Sequence, residues 1–162
     1  ALLEHAAADR QVVVCIDEAQ AMPLETLESL RLLSNLETEK RKLLQIVLFG
    51  QPELDRKLAE PSVRQLLQRI AFHYRIGGLA REEVANYLAH RLRVAGYRGE
   101  DVFGSSAVRC LHKASRGTPR LLNILAHKSL LAVFGEGKHA VRPGHVRRAA
   151  ADTEGAASAG WW

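Results

Sequence analysis

The sequence predicts an α/β lobe built on a short parallel sheet, followed by an all-helical lobe. Two observations predict it. Apolar runs at residues 12–17 and 43–50 are each separated from the next by helix-period segments, which implies strands paired in parallel with helices over both faces. After Gly78 the period becomes helical throughout.

In chain order, ALLEHAAADR reads as the end of a helix and VVVCID as a β-branched, buried strand. PLETLESLRLLSNLETE reads as a helix with Pro23 in its opening turn, where a missing N–H costs nothing. LLQIVLFG is a second buried strand. PELDRKLAE and PSVRQLLQRI are two short helices broken at Pro61. FHYRIGG, residues 72–78, is expected as a third strand ending at Gly77 and Gly78. The helical lobe opens with AREEVANYLAHRLRVAGY, which sets Val84, Tyr87, Leu88, Leu92 and Ala95 on one face. SSAVRCLHKASRG carries Ser105 or Ser106 as a cap and Gly117 as a stop. PRLLNILAHKSLLAVFGEG is apolar nearly all round and is expected at the centre of a small bundle, and RPGHVRRAAADTEG is a last, basic helix. The expected divisions are residues 1–78, 79–154 and a small, flexible tail at 155–162.

A chain of 162 residues, 47% hydrophobic and 25% charged, has material for one globular domain or two small lobes. Its two cysteines, Cys15 and Cys110, have neither a CxxC partner nor zinc-site spacing, and both read as reduced core thiols of a cytosolic protein. Seven scattered histidines form no HExxH. No apolar stretch approaches the roughly 20 residues of a membrane span, and the first residues lack the regions of a signal peptide. The formal charge of +5 is compatible with phosphate-bearing partners and equally with an ordinary basic surface.

Four places carry chemistry. The first apolar run ends in Asp17 and Glu18, the Walker B pattern of apolar residues followed by Asp-Glu. A buried parallel strand delivers its terminal carboxylate rigidly at the edge where open α/β sheets bind ligands. Asp17 can hold a magnesium ion through water, and Glu18 can orient and polarise an attacking water. LFGQPEL puts polar Gln51 just past the second strand, beside the place of a terminal phosphate if the strands are neighbours. RQLLQRI offers Arg64 and Arg69, exposed guanidinium groups that could reach a nucleotide on a neighbouring subunit. RGTPRLLN sets Arg120 in the first turn of the central helix of the second lobe.

Together, in this order, these pieces resemble an AAA+ ATPase, a P-loop NTPase fold, from Walker B onward. Asp17 and Glu18 match Walker B, Gln51 sensor 1, Arg69 the arginine finger with Arg64 as the alternative, and Arg120 the sensor 2 arginine of the helical lid. IDEAQ, LFGQPEL, RQLLQRI and RGTPRLLN are similar to the ExeA, or general secretion pathway A, type and its relative MshM of mannose-sensitive haemagglutinin pilus biogenesis. The resemblance spans about residues 1–150. It implies ATP and Mg2+ as cofactors, a homo-oligomer, an inner-membrane secretion or pilus assembly partner, and a cytoplasmic portion of a bacterial protein anchored in the inner membrane. Trp161 and Trp162 would then suit the approach to a membrane interface. Transposition ATPases of the TniB type and origin initiators share parts of the pattern. They supply an alternative, nucleic-acid binding through Arg142, Arg147 and Arg148 on the basic lid. A third reading is a non-enzymatic interaction domain.

One departure from the family matters. No GxxxxGK[ST], the loop whose backbone N–H groups cradle phosphates, occurs in the chain. The expectation is a fragment whose Walker A half precedes Asp17, active in the full-length protein and inactive alone. Its uncovered strand edges are expected to pair, dimerise or rearrange.

Overall fold

The computed structural model describes residues 1–38 and 42–157. The chain divides into two units, Ala1–Tyr74 and Arg75–Trp162.

The first unit begins with helix α1 (Leu2–Ala7), which ends where Asp9 turns into the left-handed region, and continues to strand β1 (Val12–Ile16). A 3-10 turn at Ala19–Ala21 leads into α2 (Leu24–Leu33). Pro23 occupies the N-cap, so its fixed φ sets the entry angle. Strand β2 (Leu44–Leu48) pairs with β1 in parallel, Val12 opposite Leu44 through Ile16 opposite Leu48. Helix α3 (Glu53–Leu58), a 3-10 turn at Pro61–Val63 and α4 (Arg64–Leu67) complete the unit, broken at Pro61 as the sequence predicts.

One face of this sheet is partly covered, with Val14 on it still 39% exposed. Ile16, Ile46 and Leu48 pack on a core of Ala19, Leu27, Leu30, Leu54, Leu58, Val63 and Leu66. These residues come from the turn after β1 and from the helical segments between Leu24 and Leu67. The other face is open, contrary to the expectation of helices on both. Val13 is 47% and Val47 38% exposed, and Cys15 between them is exposed rather than buried. Strand alternation explains the correction: with one face packed, residues of the other parity point away from the core.

The expected third strand also fails to form. Residues 71–80 form no strand, and Phe72, Tyr74 and Ile76 are 94%, 86% and 83% exposed. An extended chain becomes a strand only beside another, and the two-stranded sheet does not reach it. On the same stretch His73 meets Asp55 at 3.3 Å.

Among the described residues the second unit is four helices on one core: α5 (Arg81–Val94), α6 (Ser105–Ser115), α7 (Pro119–Gly135) and α8 (Pro143–Ala151). Val84 and Leu88 of α5 are buried with Ala107, Val108, Leu111 and Ala114 of α6, and with Leu122, Leu125, Val133 and Val146. Tyr87 and Leu92 pack at its edge, whereas Ala95, expected on the same face, is exposed beyond the helix end. Gly104, not Ser105 or Ser106, is the N-cap of α6, and no side chain caps it. Helix α6 stops through two left-handed residues, Arg116 (φ 51°) and Gly117 (φ 73°). A Cβ on Gly117 would lie 2.3 Å from the Leu79 carbonyl oxygen, so glycine is required there. Helix α7, expected at the centre of the bundle, packs on α6 and α8 and leaves Leu131 and Phe134 exposed; α6, which packs on α5, α7 and α8, holds the central place instead.

Residues 155–157, expected in a flexible tail, stay on this core. Ala156 packs against it and the Ala157 N–H donates to the Ala114 carbonyl at 3.0 Å. Trp161 and Trp162 lie outside the described residues. Among the described residues no helix is long and apolar enough to cross a membrane.

A polar staple joins the end of α7 to α8. The His145 ring is 4% exposed, and its Nδ1 accepts the Arg142 N–H at 3.0 Å. That leaves the proton on Nε2, which donates to Glu136 Oε2 at 3.1 Å. Lys138 and Arg148 also bind the Glu136 carboxylate, and these three donors, Lys138 first, hold its pKa down from 4.5 to about 2. A lowered pKa stabilises the fold above the unfolded value, and the gain is lost as pH falls through the folded one. Thermal midpoints should therefore drop between pH 4.5 and about 2, and Glu136→Gln should flatten that part of the profile. An unchanged profile in the variant would remove the staple from the account.

The exposed β1 face makes a second prediction. In the native chain a thiol reagent should label Cys15 at once and Cys110, 7% exposed, only on unfolding.

Candidate functional site

The parallel register determines what meets what at the carboxyl ends of the strands. Past the last paired residues, the Phe49 N–H donates to the Ile16 carbonyl at 2.8 Å, and the Ala19 N–H donates back to the Phe49 carbonyl at 2.9 Å. The chain leaving β1 is thereby tied to the chain leaving β2, with Asp17 and Glu18 on one side and Gly50 and Gln51 on the other.

Glu18 makes the exit from β1. Its backbone is left-handed (φ 52°, ψ 37°), uncommon for a residue with a Cβ, and it opens the 3-10 turn at Ala19–Ala21. Such strain persists where the surroundings hold it, and here they do. The Glu18 N–H donates to Asp17 Oδ1 at 2.8 Å and the Ala21 N–H donates to the Glu18 carbonyl at 2.8 Å. Ala19 is fully buried in the core. Lys57 Nζ donates to the Met22 carbonyl at 2.8 Å, pinning the end of the turn to α3.

Three side chains meet above this backbone. Gln51 Nε2 lies 3.4 Å from Glu18 Oε2, a long contact. The shorter one comes from Gln20, whose Nε2 donates to the same Glu18 oxygen at 2.6 Å while its Oε1 accepts the Gln51 backbone N–H at 3.1 Å. Gly50 makes room for this bridge, since a Cβ there would sit 3.1 Å from Gln20 Oε1 and 2.8 Å from Leu54 Cδ2. Glu18, Gln20 and Gln51 are all open to solvent on their outer side.

The structure thus brings Asp17, Glu18 and Gln51 of the sequence-predicted set to one sheet edge. Arg64 begins α4 and Arg69 follows it, both exposed, and the charge of Arg69 contributes to the lowered pKa of Glu37, behind the hydrogen bond and charge of Lys42. Arg120 stands in the first turn of α7, in the second unit. Gln20 had no role in the sequence reading. Its signal was present as the polar residue two places after Glu18, but only the left-handed turn at Glu18 shows that this spacing swings it back over β2.

The donor chemistry at the edge fits a magnesium ion held through water. Asp17 offers a hard, exposed carboxylate with Oδ1 already oriented by an N–H, and this cation keeps most of its own waters. The phosphate-cradling loop that would stand opposite has no counterpart in the sequence.

Comparison with known proteins agrees with this geometry. Residues 1–58 match the family model described as an AAA domain. The chain is 43% identical over 161 residues to General secretion pathway protein A of Aeromonas hydrophila, covering 99% of this chain and 29% of that protein. Solved structures share the fold. Cdc6p of Pyrobaculum aerophilum superposes with a TM-score of 0.62 at 18% identity, over 93% of this chain and 42% of that one. The ORC2 protein of Aeropyrum pernix in its ADP form gives 0.61 at 16% identity, over 92% and 41%. The Thermotoga maritima RuvB Holliday junction branch migration motor gives 0.55 at 14%, over 91% and 48%. At such identities these three establish a shared fold alone. The carboxylate pair at the end of a parallel strand thus stands in a segment that matches an AAA domain, within a chain that is similar to general secretion pathway protein A along nearly its whole length and spans 29% of that protein.

Proposed function

We propose that the full-length protein containing this chain is an oligomeric ATPase that drives assembly work at the bacterial envelope, in a secretion or mannose-sensitive haemagglutinin pilus system. One observation carries the reading: Asp17, Glu18 and Gln51 converge at the carboxyl ends of two paired parallel strands. In it Asp17 holds water of a magnesium ion, which when bound neutralises phosphate charge. Glu18 orients the attacking water and takes its proton. Gln51 contacts the terminal phosphate. Arg69, with Arg64 as the alternative, serves a neighbouring subunit's nucleotide, and Arg120 of the helical lid completes the nucleotide contacts. The partner is an inner-membrane assembly protein, and the chain is the cytoplasmic portion.

Residues 1–162 alone carry no phosphate loop, so no ATP turnover is expected of them. In the full-length protein Glu18→Gln should lower kcat by about a hundredfold or more while nucleotide binding persists, since it removes the base and keeps the shape. Turnover equal to wild type in that variant would overturn the assignment of Glu18.

Charge distribution favours a second reading, a nucleic-acid-binding regulator. Residues 75–162 hold fourteen Lys and Arg against seven Asp and Glu, whereas residues 1–74 hold nine against eleven. Arg142 and Arg147 on the last helix would contact phosphates, and Arg148 would have to leave Glu136 to join them. Duplex-DNA affinity that falls linearly on a log scale with salt supports this reading, and no binding at low salt rejects it.

A further inference from the structure

The Gln20 side chain is placed too specifically for a surface residue of a turn. Its two partners define its orientation without ambiguity: a backbone N–H only donates, so Oε1 faces Gln51, and a carboxylate only accepts, so Nε2 faces Glu18. A carboxamide is the group that does both at once. Ala and Met could do neither, Lys could not accept, and an ionised carboxylate could not donate. Asn would be one methylene short of spanning the two strand ends. The backbone beneath is anchored at three points, by the Ala19 N–H on Phe49, by burial of the Ala19 side chain and by Lys57 on Met22. At 2.6 Å against 3.4 Å, Gln20 and not Gln51 is the principal donor to Glu18 Oε2.

We propose that Gln20 is a positioning residue for the hydrolytic reaction, acting through Glu18 and Gln51; this rests on the ATPase reading above. By engaging Oε2 it fixes the rotation of the Glu18 carboxylate and leaves Oε1 as the oxygen that takes the proton of water. By capping the Gln51 N–H it fixes the backbone from which the Gln51 side chain reaches a phosphate. Gln51 can then exchange Glu18 for a phosphate without releasing the base, because Gln20 continues to hold it. The bridge makes Glu18 and Gln51 one unit instead of two independent strand ends.

Two substitutions separate the halves of this role. Gln20→Ala removes both bonds. Gln20→Glu keeps an acceptor for the Gln51 N–H and sets the introduced carboxylate against Glu18, unless one proton is shared between them, which restores a donor. In the 162-residue chain, Gln20→Ala should speed hydrogen exchange of the Gln51 amide by about tenfold, a loss of roughly one hydrogen bond, while Gln20→Glu leaves it protected. In the full-length protein, Gln20→Ala should lower kcat about tenfold to a hundredfold with KM for ATP unchanged, as expected of a misplaced base. Gln20→Glu should be impaired at neutral pH and recover relative to wild type as pH falls, a profile that mere loss of stability would not produce. Wild-type kcat in Gln20→Ala, alongside the loss of turnover in Glu18→Gln, would overturn the role of Gln20 and leave the ATPase reading intact. Absence of ATP turnover in the wild-type full-length protein would overturn both. An unaltered Gln51 amide in Gln20→Ala would refute the bridge itself, independently of any activity.

Discussion

Everything at the candidate site depends on one register, Ile16 opposite Leu48 in the parallel pair. Side chains of a strand alternate faces with period two, so a slip of β2 by one residue would send Ile46 and Leu48 to the open face and bring Val47 onto the core. It would also move Phe49 off the Ile16 carbonyl and separate Glu18 from Gln51. The core enforces the register because only one face has helices to pack on: Leu27, Leu30, Leu54 and Leu58 accept Ile and Leu side chains and offer no partner for Gln45. Hydrophobic packing on one face thus sets polar geometry at the edge, several residues away.

The turn after β1 converts that register into a site. A residue with a Cβ in the left-handed region costs of order 1 kcal/mol, and Glu18 is kept there by bonds on both sides of it. In an extended conformation the chain would run past the sheet edge, and residues 18–20 would point outward in alternation. The left-handed step folds it back, so Glu18 and Gln20, two apart, both face the end of β2. Gly50 completes the fit by the absence of a side chain. Cradle and occupant come from different segments, 31 residues apart between Gln20 and Gln51.

Much of this was legible in the sequence, and the rest fails for identifiable reasons. The apolar runs located both strands, Pro23, Pro61 and Pro119 located helix starts, and Asp17, Glu18 and Gln51 were named from their places after strands. Cys15 was misread because VVVCI is uniformly apolar, and uniform composition hides which parity is packed until the partner layers are known. FHYRIGG was misread because strand composition reports a capacity to pair, while pairing needs a neighbouring strand, and among the described residues the sheet has two. Gln20 escaped because its role arises from a backbone dihedral at Glu18, which no side-chain pattern encodes. Gly104 stands at the start of α6 in the extended conformation of a cap, one residue before the serines expected there.

The second unit obeys a different rule. There the sheet-edge logic is absent, and helix ends are joined by backbone closeness and by charge. Gly78 and Gly117 let two backbones touch: a Cβ on Gly78 would lie 2.4 Å from the Arg116 carbonyl oxygen, and the Leu79 N–H donates to the Gly117 carbonyl at 2.8 Å. The segment that enters this unit is therefore clamped to the very turn that introduces α7 and Arg120. Any displacement of residues 78–79 has to be accommodated at 116–117, since neither contact has a flexible side chain to absorb it. A close backbone joint at the start of α7 and a staple of Glu136, His145 and Arg148 at its far end hold α7 at both ends.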